Sequence, residues 1–112
     1  MFRRGEVVLA RYPFTDLSAA KARPALIVSG ETYHRHRSEL ILAALTSNLS
    51  SATGDLDYIL QDWAAAGLKL PTAFKPILAT LHLDLIVHRI GTLTERDLVE
   101  VENRLRLMLD LL

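Results

Sequence analysis

The apolar residues of this chain come in short runs separated by turn residues, and this pattern restricts the possible folds most strongly. The longest unbroken run, residues 40–45, has six residues and is far too short to span a membrane. Its continuous apolar character predicts a buried central strand. Further strand patterns occur at residues 6–12, 24–29, 55–60, 76–81 and 86–90. The sequence therefore predicts a mainly β protein.

The end of the chain has the pattern of an amphipathic helix. Thr94 to Asp97 resembles a capping box with aspartate in place of glutamate, which marks a helix start. Apolar residues then recur on one helical face at Leu98, Val101, Leu105, Met108, Leu109 and Leu112. Residues 62–67 predict one or two further helical turns, closed by Gly67. Short strands followed by a terminal helix predict a small β-barrel with the helix laid across it, in a single domain over residues 1–112.

The composition excludes several kinds of site. About half of the 112 residues are hydrophobic, which is enough for a core, and there is no cysteine. Disulfides, thiolate metal sites and cysteine nucleophiles are therefore excluded. Neither a glycine-rich phosphate loop nor a G-x-S-x-G motif is present. No apolar segment follows the charged N-terminus, so we expect a soluble, cytoplasmic protein that is not bound to a membrane.

The four histidines do not form a recognisable metal motif. His34 and His36 would share one face of a strand, but no third ligand lies at a suitable spacing. His82 and His88 are interpreted as partly buried side chains that fill space on strands. We therefore expect no metal site.

Charge is distributed unevenly although the net charge is zero. Residues 1–38 hold seven Lys or Arg against three Asp or Glu, whereas residues 39–112 hold six against ten. A basic half can attract phosphates, although an imbalance of this size also arises by chance. Within it, residues 33–38 form the basic and aromatic cluster Tyr-His-Arg-His-Arg-Ser. This cluster could stack on bases and contact phosphates, or it could be a solvated turn.

Arg23 is a candidate functional cation because of its position. It lies where a predicted loop over residues 13–22 becomes a strand, so a rigid scaffold would hold its guanidinium while it faces solvent. An ordinary surface arginine on a hairpin explains the same pattern. Thr46 follows the central apolar run and could simply cap the end of a strand with its hydroxyl. The residues alone leave these alternatives open.

Several short motifs occur in an order that resembles the MazF/PemK family of toxins. They are Gly5-Glu6-Val7-Val8-Leu9, Arg23-Pro24-Ala25-Leu26-Ile27-Val28-Ser29, Ala44-Leu45-Thr46-Ser47, Gly67-Leu68, Pro71-Thr72, Ala79-Thr80-Leu81 and Ile90-Gly91-Thr92-Leu93. No motif is specific alone, but their order and spacing extend through essentially the whole chain.

The resemblance implies a small SH3-like barrel of the MazF/Kid/CcdB type that pairs as a homodimer. It also implies the toxin of a type II toxin–antitoxin system, an mRNA interferase that cleaves single-stranded RNA without a metal or other cofactor. In the family, the 2′-hydroxyl attacks the adjacent phosphate and leaves a cyclic phosphate and a 5′-hydroxyl. The implied protein partner is an antitoxin with an acidic disordered segment.

The same resemblance suggests the site residues. It implies that Arg23 is the catalytic arginine and Thr46 the catalytic threonine. We expect further contacts to RNA from Thr15, Asp16, Lys21, His34, Arg35, His36, Arg37 and Ser47.

Two departures from the family pattern keep other functions open. Residues 18–22 lack the acid that family members often carry in this loop, and the nearest carboxylate is Asp16. The general base is therefore unassigned, with His34 and His36 as candidates. At Ala79 many members have an arginine. The alternatives are a CcdB-like protein that binds gyrase without cleaving anything, and an inactive toxin retained for binding its antitoxin.

Overall fold

The computed structural model describes residues 1–11 and 21–112. These residues form one six-stranded antiparallel sheet and two α-helices, which confirms the prediction of a mainly β fold with a C-terminal helix. The strands are β1 (Glu6–Arg11), β2 (Ala22–Ile27), β3 (Glu39–Thr46), β4 (Tyr58–Ile59), β5 (Ala73–His82) and β6 (Ile86–Thr92). The helices are α1 (Glu31–His36) and α2 (Glu95–Leu109).

The strands follow one another across the sheet in the order β4-β5-β3-β2-β1-β6. The apolar run of residues 40–45 lies in β3, between β5 and β2, as its composition predicts. In the described part of the chain, β4 and β6 are the sheet edges, so strand pairing does not close a complete barrel. No helix among the described residues is long and apolar enough to cross a membrane.

Apolar side chains are buried on both faces of the sheet, which explains why the central strands lack a polar alternation. Val7 and Leu26 are paired across β1 and β2 and pack in the same cluster as Val101 of α2. Val8 and Ile27 belong to a second cluster, to which Phe2 and residues at the start of β6 also contribute. Because adjacent residues of a strand point to opposite faces, each of these strands supplies both clusters.

Strand β2 begins earlier than the sequence predicts. Its pairing with β1 extends to the pair Arg11 and Ala22, so Arg23 lies within the strand rather than in the preceding loop. Pro24 is tolerated because the pairing of β2 with β3 starts at Ala25. The missing proline N–H therefore lies where β2 has one paired neighbour.

The strand predicted at residues 55–60 is reduced to the two residues of β4. Asp57 closes a turn before it, because its Oδ2 accepts hydrogen bonds from the backbone N of Gly54 and from Nζ of Lys75, both at 2.9 Å. The Lys75 hydrogen bond, followed by that from Gly54, lowers the pKa of Asp57 below its ordinary value. A side chain that accepts hydrogen bonds from its own turn competes with strand pairing.

Helix α2 begins where predicted, but the capping box is wrong. Thr94 is the N-cap residue, yet its Oγ1 donates to Oδ2 of Asp62 at 2.6 Å instead of accepting from the helix. Asp97 likewise accepts hydrogen bonds from residues outside the helix. The start of α2 is therefore held by side-chain contacts to the segment after β4.

The apolar face of α2 is confirmed from Leu98 to Met108. Val101 is fully buried, and Leu98, Leu105 and Met108 pack against the same cluster. Leu109 and Leu112 are wrongly placed on that face, because they are 53% and 116% exposed.

Residues 62–67 form turns rather than a helix, and they pack closely against β6. Gly67 has φ of +87°, and a Cβ there would lie 2.6 Å from the carbonyl oxygen of Ile90. A Cβ on Gly91 would lie 2.1 Å from the carbonyl oxygen of Ala66. The strand predicted at residues 86–90 therefore continues through Gly91 to Thr92, and Gly91 lets this segment approach the strand.

Candidate active site

A cleft with a volume of about 770 Å³ lies where β1, β2, β3 and β6 meet the segment of residues 67–72. Its apolar lining consists of Leu9, Pro24, Leu45, Leu68, Leu70 and Ile90. Its polar and charged lining consists of Arg23, Thr46, Ser47, Asn48, Lys69, Thr72, His88 and Arg89. A concave surface that combines apolar side chains with convergent polar groups is typical of a ligand site.

Strand pairing brings the two expected catalytic residues to this cleft. Ala25 of β2 pairs with Ala44 of β3 at the end of the ladder between these strands, and Arg23 and Thr46 each lie two residues beyond that pair. Both residues line the cleft. The placement follows from a long-range pairing that the sequence pattern does not contain.

The hydroxyl of Thr46 is held by its own backbone and still has a hydrogen to donate. Its Oγ1 accepts a hydrogen bond from the backbone N of Asn48 at 3.0 Å. This hydrogen bond caps the end of β3, as expected for Thr46 from its position after the apolar run. Because the oxygen accepts in this bond, the O–H can donate to a ligand in the cleft.

Two of the cleft cations have no partner in the described structure. Neither the guanidinium of Arg23, which is exposed, nor Nζ of Lys69 makes a hydrogen bond or ion pair within residues 1–11 and 21–112. Arg89 is different, because it is paired with Glu6, donates to the backbone oxygen of Met1 at 2.9 Å and lies over the ring of Phe2 at 5.0 Å. No Asp or Glu occurs among the described residues that line the cleft. The cleft is therefore positively charged and suited to an anion.

Of the other expected RNA contacts on this side, one lines the cleft. Ser47 is exposed and lines the cleft. Lys21 is exposed just before β2 and does not line the cleft. Thr15 and Asp16 lie outside the described residues. Ala79, where the family pattern has an arginine, is half-buried in β5 opposite Leu42 and away from the lining.

The basic cluster at residues 33–38 lies elsewhere. It is mostly helix α1, not a turn, and its four expected contacts, His34, Arg35, His36 and Arg37, are all outside the cleft lining. Helix α1 follows the C-terminal end of β2, whereas Arg23 lies near the N-terminal end of the same strand. At about 3.3 Å per residue, the two ends of β2 are about 15 Å apart.

The charges of this cluster are also already paired. Arg35 contacts Glu31 at 3.5 Å, and Arg37 contacts Glu39 at 2.9 Å, which raises the pKa of Arg37 above its ordinary value. The ring nitrogens of His34 contact Oγ of Ser29 and the backbone oxygen of Phe2, as described below. Contacts from these side chains to RNA stay a prediction.

Sequence reasoning missed Lys69 and His88. Lys69 follows a turn whose position depends on the close approach of Gly67 to β6. The interpretation of His82 and His88 as partly buried side chains is wrong, because both are exposed. No local pattern marks either Lys69 or His88, because each reaches the cleft through the non-local packing of β6.

A second group of charged residues, the Asp97 cluster, lies at the start of α2. It consists of Tyr58, Asp62, Thr94, Arg96 and Asp97. The buried carboxylate of Asp97 accepts from the hydroxyl of Tyr58 at 2.6 Å and from the backbone N of Gln61 and Asp62 at 3.0 and 2.8 Å. Burial of the hydroxyl, followed by its bond to Asp97, raises the pKa of Tyr58 to about 12.

Asp62 links the same cluster to the helix surface. Its carboxylate accepts two hydrogen bonds from Arg96, both at 2.6 Å, and one from Thr94. These bonds, Arg96 first, lower the pKa of Asp62 from 3.8 to about 2. Every side chain of the Asp97 cluster thus forms a hydrogen bond to another member of the cluster. Such internal pairing is typical of a cluster that stabilises the fold. Among the described residues, no group of three His, Cys, Asp or Glu could hold a metal ion.

The open antiparallel sheet, the terminal helix and the positive cleft define a small β protein with a site for an anionic ligand. A sequence model of the family described as "PemK-like, MazF-like toxin of type II toxin-antitoxin system" matches residues 3–109. The chain belongs to this family, which confirms the resemblance noted from its motifs. No curated protein gives a significant sequence match.

Solved structures share the fold at low sequence identity. An endoribonuclease in complex with its cognate antitoxin, from a mycobacterial species, has a TM-score of 0.76 at 20% identity and covers 99% of this chain and 95% of its own. The Mycobacterium tuberculosis toxin MazF-mt6 has a TM-score of 0.75 at 20% identity, covering 95% and 97%. A MazE-MazF structure from Deinococcus radiodurans has a TM-score of 0.74 at 17% identity, covering 99% and 97%. At such identities the likeness establishes the fold.

Proposed function

We propose that this protein is the toxin of a type II toxin–antitoxin system and cleaves single-stranded RNA as a metal-independent endoribonuclease. The observation that carries the proposal is that Arg23 and Thr46, the two residues at the family's catalytic positions, line one positively charged cleft. The family membership of the chain and the solved endoribonucleases that share its fold support the same activity.

The chemistry requires groups that stabilise a phosphorane-like transition state. Attack by the 2′-hydroxyl on the adjacent phosphate places negative charge on the non-bridging oxygens. The guanidinium of Arg23, which has no partner within residues 1–11 and 21–112, offers a rigid fork of donors to two such oxygens. The hydroxyl of Thr46 donates one further hydrogen bond and fixes the orientation of the phosphate. Departure of the 5′-oxygen then yields a cyclic phosphate and a 5′-hydroxyl.

Incubation of the purified protein with mixed single-stranded RNAs, with and without EDTA, tests this function. We expect the same fragments in both conditions, with cyclic phosphate and 5′-hydroxyl ends. Arg23→Ala should reduce the cleavage rate by about 10²–10³-fold, the usual cost of losing one preorganised donor to a developing oxyanion. The matched control is Arg106→Ala, which removes an exposed arginine of α2 that lies outside the cleft.

Two results would contradict the proposal. One is intact RNA in both conditions, and the other is full activity of Arg23→Ala. Growth arrest with intact RNA and accumulated gyrase–DNA complexes would instead support a CcdB-like function. An inactive toxin retained for antitoxin binding would leave both RNA and growth unaffected.

The protein partner in this proposal is an antitoxin with an acidic disordered segment that occupies the cleft as a phosphate mimic. Support comes from Arg23 and Lys69, two cleft cations without a partner in the part of the chain that the structure describes, and from the antitoxin complexes of proteins with this fold. The affinity of the complex should fall with rising salt, as measured by calorimetry at several ionic strengths. A salt-independent affinity would contradict an acidic occupant.

The proposal also includes a homodimer that acts in the cytoplasm. Large apolar side chains are exposed in the single chain, among them Ile77 of β5, Val87 of β6 and Leu107 of α2. Burial of such side chains between two copies would stabilise a dimer. Sedimentation equilibrium should give twice the mass of one chain, and a monomer at micromolar concentration would contradict this part of the proposal.

A further inference from the structure

We propose that His88 is the general base that removes the proton from the attacking 2′-hydroxyl. This assignment rests on the proposed ribonuclease function. It supplies the general base, a role that neither Arg23 nor Thr46 fills. The reaction needs such a base because a hydroxyl is a weak nucleophile until its proton is taken.

The inventory of titratable groups in the cleft points to His88. The described lining contains four such side chains, those of Arg23, Lys69, His88 and Arg89. Arginine and lysine side chains stay protonated near neutral pH as a rule, whereas imidazole exchanges its proton between pH 5 and 8. Since the described lining has no carboxylate, the imidazole of His88 is the one side chain in it of a type that commonly serves as a general base.

The hydrogen bonding of the ring leaves the correct nitrogen available. Nδ1 of His88 lies 3.1 Å from the backbone oxygen of Arg89. A carbonyl oxygen can only accept, so this contact places the hydrogen of the neutral ring on Nδ1. The lone pair then resides on Nε2, which makes no hydrogen bond within the described ranges. The exposed ring thus presents a basic nitrogen.

The sheet register places His88 at a useful distance from Arg23. Leu9 of β1 pairs with Pro24 of β2 on one side and with His88 of β6 on the other. The two Cα atoms of Pro24 and His88 are therefore separated by two strand spacings, about 10 Å. Arg23 directly precedes Pro24 and lines the same cleft as His88, so a phosphodiester and its ribose can lie in the cleft between the guanidinium and the imidazole.

The other histidines do not meet these conditions. Nε2 of His34 contacts Oγ of Ser29 at 2.6 Å and Nδ1 contacts the backbone oxygen of Phe2 at 3.0 Å, so both ring nitrogens are engaged. His36 is exposed on α1, and Nδ1 of His82 accepts from a backbone N at the far end of β5. None of the three lines the cleft.

The proposed step balances without a cofactor. Nε2 of His88 takes the proton of the 2′-hydroxyl while the 2′-oxygen forms a bond to phosphorus. The bond between phosphorus and the 5′-oxygen breaks, its electron pair stays on that oxygen, and a water molecule supplies the proton for the 5′-hydroxyl. The imidazolium then returns its proton to solvent, so the protein ends in its starting state.

The test compares His88→Gln with the wild-type protein and with His82→Gln, a matched change of an exposed histidine outside the cleft. We expect His88→Gln to lower kcat by about 10²-fold or more, with RNA affinity changed less than about threefold. The acidic limb of the pH–rate profile should disappear in this variant and remain in the control. Added imidazole should partly restore cleavage by His88→Ala.

A second measurement does not depend on cleavage. The ring signals of His88 in nuclear magnetic resonance spectra should shift when a 2′-deoxy oligonucleotide, which cannot react, is added. Signals of His82 should stay in place. An unshifted His88 ring would overturn the proposal even if His88→Gln were slow.

The remaining outcomes separate this proposal from the function on which it rests. An inactive wild-type protein overturns both. A wild-type protein that cleaves RNA, together with an equally active His88→Gln of unchanged pH profile, overturns the assignment of the base alone. Loss of the acidic limb in Asp16→Asn but not in His88→Gln would assign the base to Asp16 instead.

Discussion

The cleft and the Asp97 cluster both concentrate polar and charged side chains, but they use them in opposite ways. In the Asp97 cluster, three donors meet the carboxylate of Asp97, and Arg96 and Thr94 meet that of Asp62. In the cleft, Arg23 and Lys69 have no partner among the described residues. Paired charges hold two segments together, whereas unpaired cations in a concave surface are available to an anionic ligand.

This difference predicts opposite consequences for substitutions in the two regions. A change in the cleft should affect RNA cleavage and leave the free energy of unfolding almost unchanged. A change in the Asp97 cluster should lower the free energy of unfolding and leave cleavage per folded molecule unchanged.

The largest expected effect is on catalysis, in Arg23→Lys. Lysine keeps the charge but replaces a planar fork of donors with a single ammonium group. We expect a roughly 100-fold slower cleavage, because the bidentate contact to the transition state is lost, with RNA affinity changed only a few-fold. Single-turnover cleavage and thermal unfolding check this outcome. A rate within twofold of wild type would show that Arg23 acts only as a charge.

The next effect is on stability, in Asp97→Ala. Removal of the buried carboxylate leaves the hydroxyl of Tyr58 and two backbone N–H groups without an acceptor. We expect a loss of about 3 kcal/mol in the free energy of unfolding, measured in urea. Glu95→Ala, which removes an exposed acid from the same helical turn, should cost less than about 1 kcal/mol. Equal losses in the two variants would contradict the structural role of Asp97.

A smaller effect is expected on binding, in Lys69→Ala. If the free ammonium contacts a backbone phosphate, its loss should weaken binding of every RNA sequence to a similar extent. The slope of log affinity against log salt should fall by about 0.7, the value for one phosphate contact on a single strand. Fluorescence anisotropy at several salt concentrations measures this slope. An unchanged slope would place Lys69 outside the path of the RNA.

The smallest effect is confined to acid and concerns Asp62. Its pKa is about 2 in the folded protein, below the ordinary value of 3.8, mainly because Arg96 donates to it. A carboxylate of this kind stabilises the fold above about pH 4, and the stabilisation disappears as the pH falls towards 2. Asp62→Asn should therefore make the unfolding midpoint depend less on pH between about 5 and 2. A pH profile that coincides with the wild-type profile would contradict the link.

The strands were predictable from the sequence because their signals are local. Runs of apolar residues mark β1, β2 and β3 within a few residues, bounded by glycine and proline at β1 and β2 and by polar residues at β3. The predicted capping box failed for the opposite reason. Thr94 and Asp97 stand at the expected spacing, but Asp62, Tyr58 and the backbone after β4 compete for their side chains. Local spacing cannot show that a distant segment provides a better partner.

The candidate site was predictable only in part. The family resemblance indicates Arg23 and Thr46, and the register of β2 and β3 accounts for their presence in one cleft. Lys69 and His88 carry no motif, because their positions depend on how β6 and the residues before β5 pack together. The loop acid absent at residues 18–22 drew attention to His34 and His36, whereas the histidine in the cleft is His88.

The close contact at Gly67 and Gly91 has a consequence for engineering. These two glycines fix the backbone of one cleft wall. The side chain that follows Gly67, that of Leu68, is buried in the core, whereas Lys69 and Leu70 after it are exposed. The position of the wall therefore depends on the two glycines, whereas its chemical character depends on residues 69 and 70. A library randomised at positions 69 and 70 can search for new substrate preferences while the scaffold is preserved.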